Sequence, residues 1–214
     1  MLKRLVVISA VVLFSFAILF ISVLRTASVK YSFSLINPES KVTTSDTKEK
    51  LEELKIDYYL AYPGPIMPDH PLWRLKALRD KLWLLITSDK YKKAELNLLF
   101  SDKRLTAAKI LFEKGNYELG FTTLSKAEIY LQKACELEDE IRTSGSDTLN
   151  LTATLIKASF KHRQIIEQIL LIAPEDAKAN IVLVENYSRG VYGRKIHVLQ
   201  SRGITPITDP FCGL

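Results

Sequence analysis

The sequence predicts an all-α protein: an N-terminal single transmembrane helix, a linker, and an up-down bundle of about five helices. Three observations carry this expectation. Leu5 to Leu24 reads LVVISAVVLFSFAILFISVL, without charge, proline or glycine; about twenty apolar residues in a helix match a hydrocarbon core of roughly 30 Å. From Pro71 onward apolar residues recur at helical spacing, with cap and turn residues between the runs. No stretch alternates as a strand would, and the short connections imply antiparallel neighbours.

The apolar run exceeds the usual signal-peptide core and is followed directly by Arg25. It reads as an uncleaved anchor, with a cleaved signal as the alternative. Lys3, Arg4 and the free amine precede it, whereas Arg25 and Lys30 follow. This charge bias keeps the N-terminus in the cytoplasm and places the rest of the chain outside the cell membrane. Residues 1–25 are then a cytoplasmic stub and anchor, 26–57 a linker, 58–202 an extracytoplasmic helical bundle, and 203–214 an irregular tail. The formal net charge is +6; with Lys3, Arg4 and Arg25 set aside, 27 basic residues face 24 acidic ones. Cys135 and Cys212 read as unlinked thiols.

Within the linker, "NPESKVTTSDTKEK" (Asn37–Lys50) is polar and aperiodic. "LEELKIDYYLAYPGP" turns aromatic and is expected to pack onto the domain. In "YPGPIMPDHPLW" (Tyr62–Trp73) the prolines impose an extended approach. Pro71 suits a first helical position, with Asp69 or His70 as cap. The first helix is expected over 71–86. Leu72, Leu75, Leu78, Leu82, Leu85 and Ile86 share one face, expected to be its core face, with Arg79 at its edge beside Trp83. Trp73 points the other way, where residues 58–66 could close over it as a proline–aromatic clasp.

"TSDK" (Thr87–Lys90) starts a second helix, with Ser88 as cap, running to Lys114. It is apolar on two sides and should be central. Gly115-Asn116 stops it, and a third helix covers 117–142. "TSGSD" (Thr143–Asp147) precedes a fourth over 148–172, whose Leu151, Leu155, Ala158, His162, Ile165, Ile169 and Ile172 are spaced as a coiled-coil seam. "APED" (Ala173–Asp176) starts the last helix, which Gly190 and Gly193 weaken by about 1 kcal/mol each relative to alanine.

Little here resembles chemistry. The three histidines, His70, His162 and His197, have no metal-ligand spacing to one another or to a cysteine. No H-E-x-x-H, C-x-x-C, G-x-S-x-G or Walker-type loop occurs. "ELEDE" (Glu136–Glu140) reads as a solvated helical face, and His162 as a hydrogen-bonded seam histidine. No catalytic residue, metal or cofactor is expected. Nucleic acid would call for stacked aromatics and denser charge, so it is not expected either. The candidates for interaction are Trp73, Arg79 and Tyr62, and a basic cluster of Arg189, Arg194 and Lys195 near the chain end. Arg79 beside a leucine face needs a carboxylate or an exit to water.

Two resemblances are carried by particular stretches. "AAKILFEKGNYELGFTTLSKA" (Ala107–Ala127) looks like a single tetratricopeptide hairpin, with Gly120 where that repeat carries alanine. No second copy recurs at its period. More broadly, "YPGPIMPDHPLWRLKALRDKLWLLI", "KKAELNLLFSDKRLTAAKILFEKG" and "LSKAEIYLQKA" resemble a family of bacterial membrane-anchored proteins known as a domain of unknown function. This likeness spans about Tyr58 to Ile172. It implies an extracytoplasmic helical domain and supplies no activity or site residue.

The expected function is therefore a membrane-anchored helical scaffold or protein-interaction module of the cell envelope. Its partners would be the membrane, through the single-pass anchor, and an envelope protein or a second copy. The alternatives are an envelope sensor or accessory subunit acting through membrane partners, or a secreted ligand-binding helical protein.

Overall fold

The computed structural model describes residues 54–205 and 208–212, together with Val11, Val12, Phe14, Ser15, Phe33 and Leu51. The chain divides into two compact units, Met1–Ser32 and Phe33–Leu214. In the first, Val11, Val12, Phe14 and Ser15 are helical, and Ser15 Oγ donates to Val11 O at 2.9 Å. The rest of the expected anchor at Leu5–Leu24 lies outside the described residues, as does the polar stretch Asn37–Lys50. Among the described residues, no helix is long and apolar enough to cross a membrane.

The second unit is all-helical among its described residues. Its helices are α1 (Trp73–Ile86), α2 (Lys90–Glu113), α3 (Tyr117–Thr143), α4 (Leu149–Ile172) and α5 (Glu175–Ser201). α2 packs along α3 and α4 along α5, giving two hairpins. α3 also meets α5 and α2 meets α4, while α1 is backed lightly by α2. Ala94 and Leu98 of α2, Leu131, Ala134, Cys135 and Ile141 of α3, Leu151, Leu155 and Ala158 of α4, and Val191 of α5 form one shared core. α2 is thus the central helix its two apolar sides require.

The ends follow local chemistry, with two corrections. α1 begins at Trp73, two residues past Pro71, and has no side-chain cap. His70 Nδ1 instead accepts from the Leu72 amide at 3.1 Å, and Asp69 is engaged with Lys114. At α2 the cap is Asp89 rather than Ser88. Its carboxylate takes the Tyr91 and Lys92 amides, two of the donors a helix start leaves open. α2 ends in a left-handed Gly115 (φ 76°), and the Asn116 amide reaches back to Leu111 O at 2.8 Å. Gly120 is required by close approach: a Cβ there would lie 2.8 Å from Phe112 Cδ2, on a ring that is itself buried.

α5 runs unbroken through Gly190 and Gly193. Burial of Val191, Ile196 and Leu199 offsets the cost of both glycines. Cys135 and Cys212 are free thiols, the first buried and the second exposed.

The segments on either side of the helices are held by them. Gln164 Nε2 donates to Leu51 O at 2.6 Å and to Leu54 O at 2.8 Å. Ile56 and Phe211 pack against Ile156, Phe160 and Leu199. Of the aromatic stretch, Ile56 and Tyr58 therefore pack on the bundle, while Tyr59 and Tyr62 are exposed. The tail is pinned as well: Arg163 Nη1 donates to Asp209 at 2.7 Å and its guanidinium lies 4.2 Å from the Phe211 ring centre.

Candidate functional site

α1 is turned the opposite way from the sequence expectation. A helix buries the face whose neighbours accept it, and here that face carries Trp73, Lys76, Ala77, Asp80 and Leu84; Asp80 alone is fully buried. The leucine row looks outward. Leu75, Leu82, Trp83, Leu85 and Ile86 are 65, 51, 50, 76 and 75 % exposed, and Leu72 just before the helix is 49 % exposed. Leu75, Leu78, Arg79, Leu82, Trp83 and Ile86 line one open groove of about 450 Å³.

Polar contacts hold the inward face. Lys76 Nζ donates to Pro63 O at 2.5 Å and Ile66 O at 2.9 Å, and sits 5.1 Å from the Trp73 ring centre. Asp80 accepts from Arg79 Nη2 at 2.7 Å and lies 4.0 Å from the buried Arg104 guanidinium. Arg104 in turn lies 4.3 Å from the Tyr130 ring centre and 5.9 Å from that of Trp73. Cations over aromatic faces are favourable where water is excluded. Long side chains with satisfied heads thus replace leucine as the packing material between α1 and α2.

The interaction candidates separate on this frame. Trp73 is half-buried and faces two cations, while Tyr62 remains 66 % exposed. The segment 58–66 does reach the Trp73 side of α1, but through backbone carbonyls on Lys76 rather than through ring stacking. Arg79 combines both of its expected solutions, pairing with Asp80 while its side chain stays 63 % exposed. Arg189, Arg194 and Lys195 do not form one open patch. Lys195 is fully buried, Arg189 is paired with Glu185 at 3.0 Å, and Arg194 lies 4.0 Å from Asp139.

Three buried charge clusters were invisible to sequence spacing. His162 is fully buried between Glu128, 2.6 Å from Nδ1, and Asp102, 3.1 Å from Nε2; Asp102 also accepts from Tyr58 Oη at 2.8 Å. Burial opposes charge on the imidazole, yet the two carboxylates outweigh it and push His162 up to about 9. Burial and the neighbouring Asp102 likewise raise Tyr58. The second cluster corrects the solvated reading of "ELEDE". Glu138 is fully buried and takes Lys195 Nζ, Thr148 Oγ1 at 2.5 Å and Thr152 Oγ1 at 3.0 Å, while Glu136 and Glu140 stay exposed. Lys195 Nζ also donates to Cys135 O at 3.0 Å and Asp139 at 2.8 Å. In the third, Arg163 joins Glu185 at 3.5 Å to Asp209.

The first cluster has the residue types of an acid–base site, but both imidazole nitrogens are spent on carboxylates inside the bundle, and Glu128 Oε2 is buried without a hydrogen-bond partner. Asp102 of α2, Glu128 of α3 and His162 of α4 tie three helices, and Glu138 and Lys195 tie α3 to α5. Among the described residues, no group of histidine, cysteine and carboxylate side chains could hold a metal ion.

Fold and site together define an all-α helical-bundle domain with a polar-stapled interior and, in α1, an outward apolar helix face. The chain belongs to the family described as Domain of unknown function (DUF5667), which matches residues 65–176. The match begins before α1 and ends in the first turn of α5. No curated protein and no solved structure matches the chain.

Proposed function

We propose that this chain is a non-catalytic docking module of the cell envelope. In this reading it is held at the membrane by Leu5–Leu24, and its helical bundle is displayed outside the cytoplasm. The observation that carries the proposal is the outward leucine row of α1. A contiguous apolar surface on an otherwise well-packed domain marks a place where something else is bound. The interior supports the same reading, since its ionisable clusters are consumed as interhelix ties.

Cysteine labelling in native membranes tests both halves, using a Cys212→Ser background in which Cys135 is buried. A membrane-impermeant maleimide should reach Asn186→Cys, an exposed position on α5, on intact cells. Leu85→Cys should react at least several-fold more slowly in the same membranes, because its face is covered. Labelling of Asn186→Cys only after lysis would overturn the outward placement. Equal rates at the two positions would overturn the docking face.

A further inference from the structure

The chemistry of α1 narrows what covers it, given the docking function proposed for its outward face. Every exposed charge between Leu72 and Ile86 is positive: Arg74, Arg79 and Lys81. The one acid of the helix, Asp80, is 3 % exposed and turned inward onto Arg79 and Arg104. On the helix itself the surface presented is therefore a row of leucine, isoleucine and tryptophan flanked by cations, with Glu136 and Glu140 of α3 bordering it only at the Lys81 and Leu85 end. Arg79 lies within that row, lining the groove between Leu75, Leu82 and Trp83.

Two copies meeting through this face would set Arg74, Arg79 and Lys81 of one against those of the other, with no exposed acid on either helix to offset them. A surface with an apolar interior and anionic groups at its edge meets both requirements. Leucine and isoleucine enter the acyl boundary, tryptophan sits at the headgroup level, and the cations reach the phosphates. We infer that α1 lies on an anionic lipid bilayer surface, with Leu75, Leu82, Leu85 and Ile86 in the acyl boundary, Trp83 at the adjoining headgroup level, and Arg74, Arg79 and Lys81 on the headgroups.

The full chain, assembled in lipid nanodiscs, tests this. The sequence has two tryptophans, so Trp73→Phe leaves Trp83 as the reporter. In discs of phosphatidylcholine and phosphatidylglycerol carrying brominated acyl chains, Trp83 fluorescence should be quenched and shifted to the blue. Quenching should fall in discs of phosphatidylcholine alone. Arg74→Gln/Lys81→Gln should weaken association with the surface of anionic discs by about thirtyfold, since each basic residue near such a surface contributes about 1 kcal/mol. Quenching that is absent in anionic discs, or equal in both lipids, would overturn the inference. If Leu85→Cys is still protected in native membranes while Trp83 escapes the brominated chains, the docking face stands and its occupant is a protein. If neither is observed, both readings fail.

Discussion

Replacing His162 with leucine is expected to destabilise the bundle by about 3–5 kcal/mol, the usual consequence of removing one partner from a buried ionic group. The substitution keeps the seam apolar, so spacing alone would suggest a gain. It strips Glu128 Oε1 of its imidazole, however, and Glu128 Oε2 is already buried without a hydrogen-bond partner. Asp102 retains only the Tyr58 hydroxyl among these side chains. Glu128→Leu/His162→Leu, which removes the stranded carboxylate as well, should recover a large part of the loss. The same contact gives the parent chain a pH dependence of definite sign. His162 sits at about 9 when folded against an ordinary value of 6.5. A folded-state value above the unfolded one stabilises fully below the unfolded value and is lost as pH rises through the folded one. The melting temperature should thus decline between about pH 6.5 and 9.5, and the decline should flatten in His162→Leu. A parent melting temperature that rises over this interval would contradict the charged histidine bridge.

Lys195→Met is expected to have a comparable effect, about 3–5 kcal/mol, or on the order of 10 °C in melting temperature for a chain of this size. Methionine replaces the volume but takes the ammonium from the fully buried Glu138, which keeps two threonine hydroxyls and the Arg142 guanidinium nearby. Glu138→Gln/Lys195→Met separates lost charge pairing from lost packing. Glutamine still accepts from Thr148 and Thr152, the carboxylate that faced Lys195 is gone, and Asp139 keeps Arg142. The double variant should be more stable than Lys195→Met alone. If the two melt together, the contribution of Lys195 does not run through Glu138 but through packing, Asp139 and the Cys135 carbonyl.

The elements of the fold are legible in the sequence because their signals are local. Asp89, Gly115-Asn116 and Pro174 mark ends within a few residues of their own positions, and the fourth-helix seam from Leu151 to Ile169 is buried as its spacing requires. What escapes a sequence reading depends on partners far along the chain. Asp102, Glu128 and His162 meet across separations of 60 and 34 residues, and Glu138 meets Lys195 across 57. No spacing rule links such positions, so Glu138 reads as one more solvated acid and Lys195 as one more surface cation.

The orientation of α1 is missed for a related reason. Periodicity identifies which side of a helix is apolar; it does not say which side is covered. Here α2 offers Arg104, with the Tyr130 ring behind it, and the approach segment offers the carbonyls of Pro63 and Ile66. Those groups are met by Asp80, Trp73 and Lys76, so the polar face turns inward and the leucines turn out. Of Tyr62, Trp73 and Arg79, the three interaction candidates near α1, only Arg79 lines the groove itself.

That inversion underlies both functional readings, and the stability of one variant decides it. In Leu82→Glu/Ile86→Glu, two carboxylates replace side chains that are 51 and 75 % exposed. Urea unfolding of the full chain in phosphatidylcholine nanodiscs should show a stability within about 0.5 kcal/mol of the parent, as for ordinary surface substitutions. A loss of about 2–5 kcal/mol, the range for emptying a core position, would mean that the leucine row faces the bundle and that α1 has no docking surface to offer.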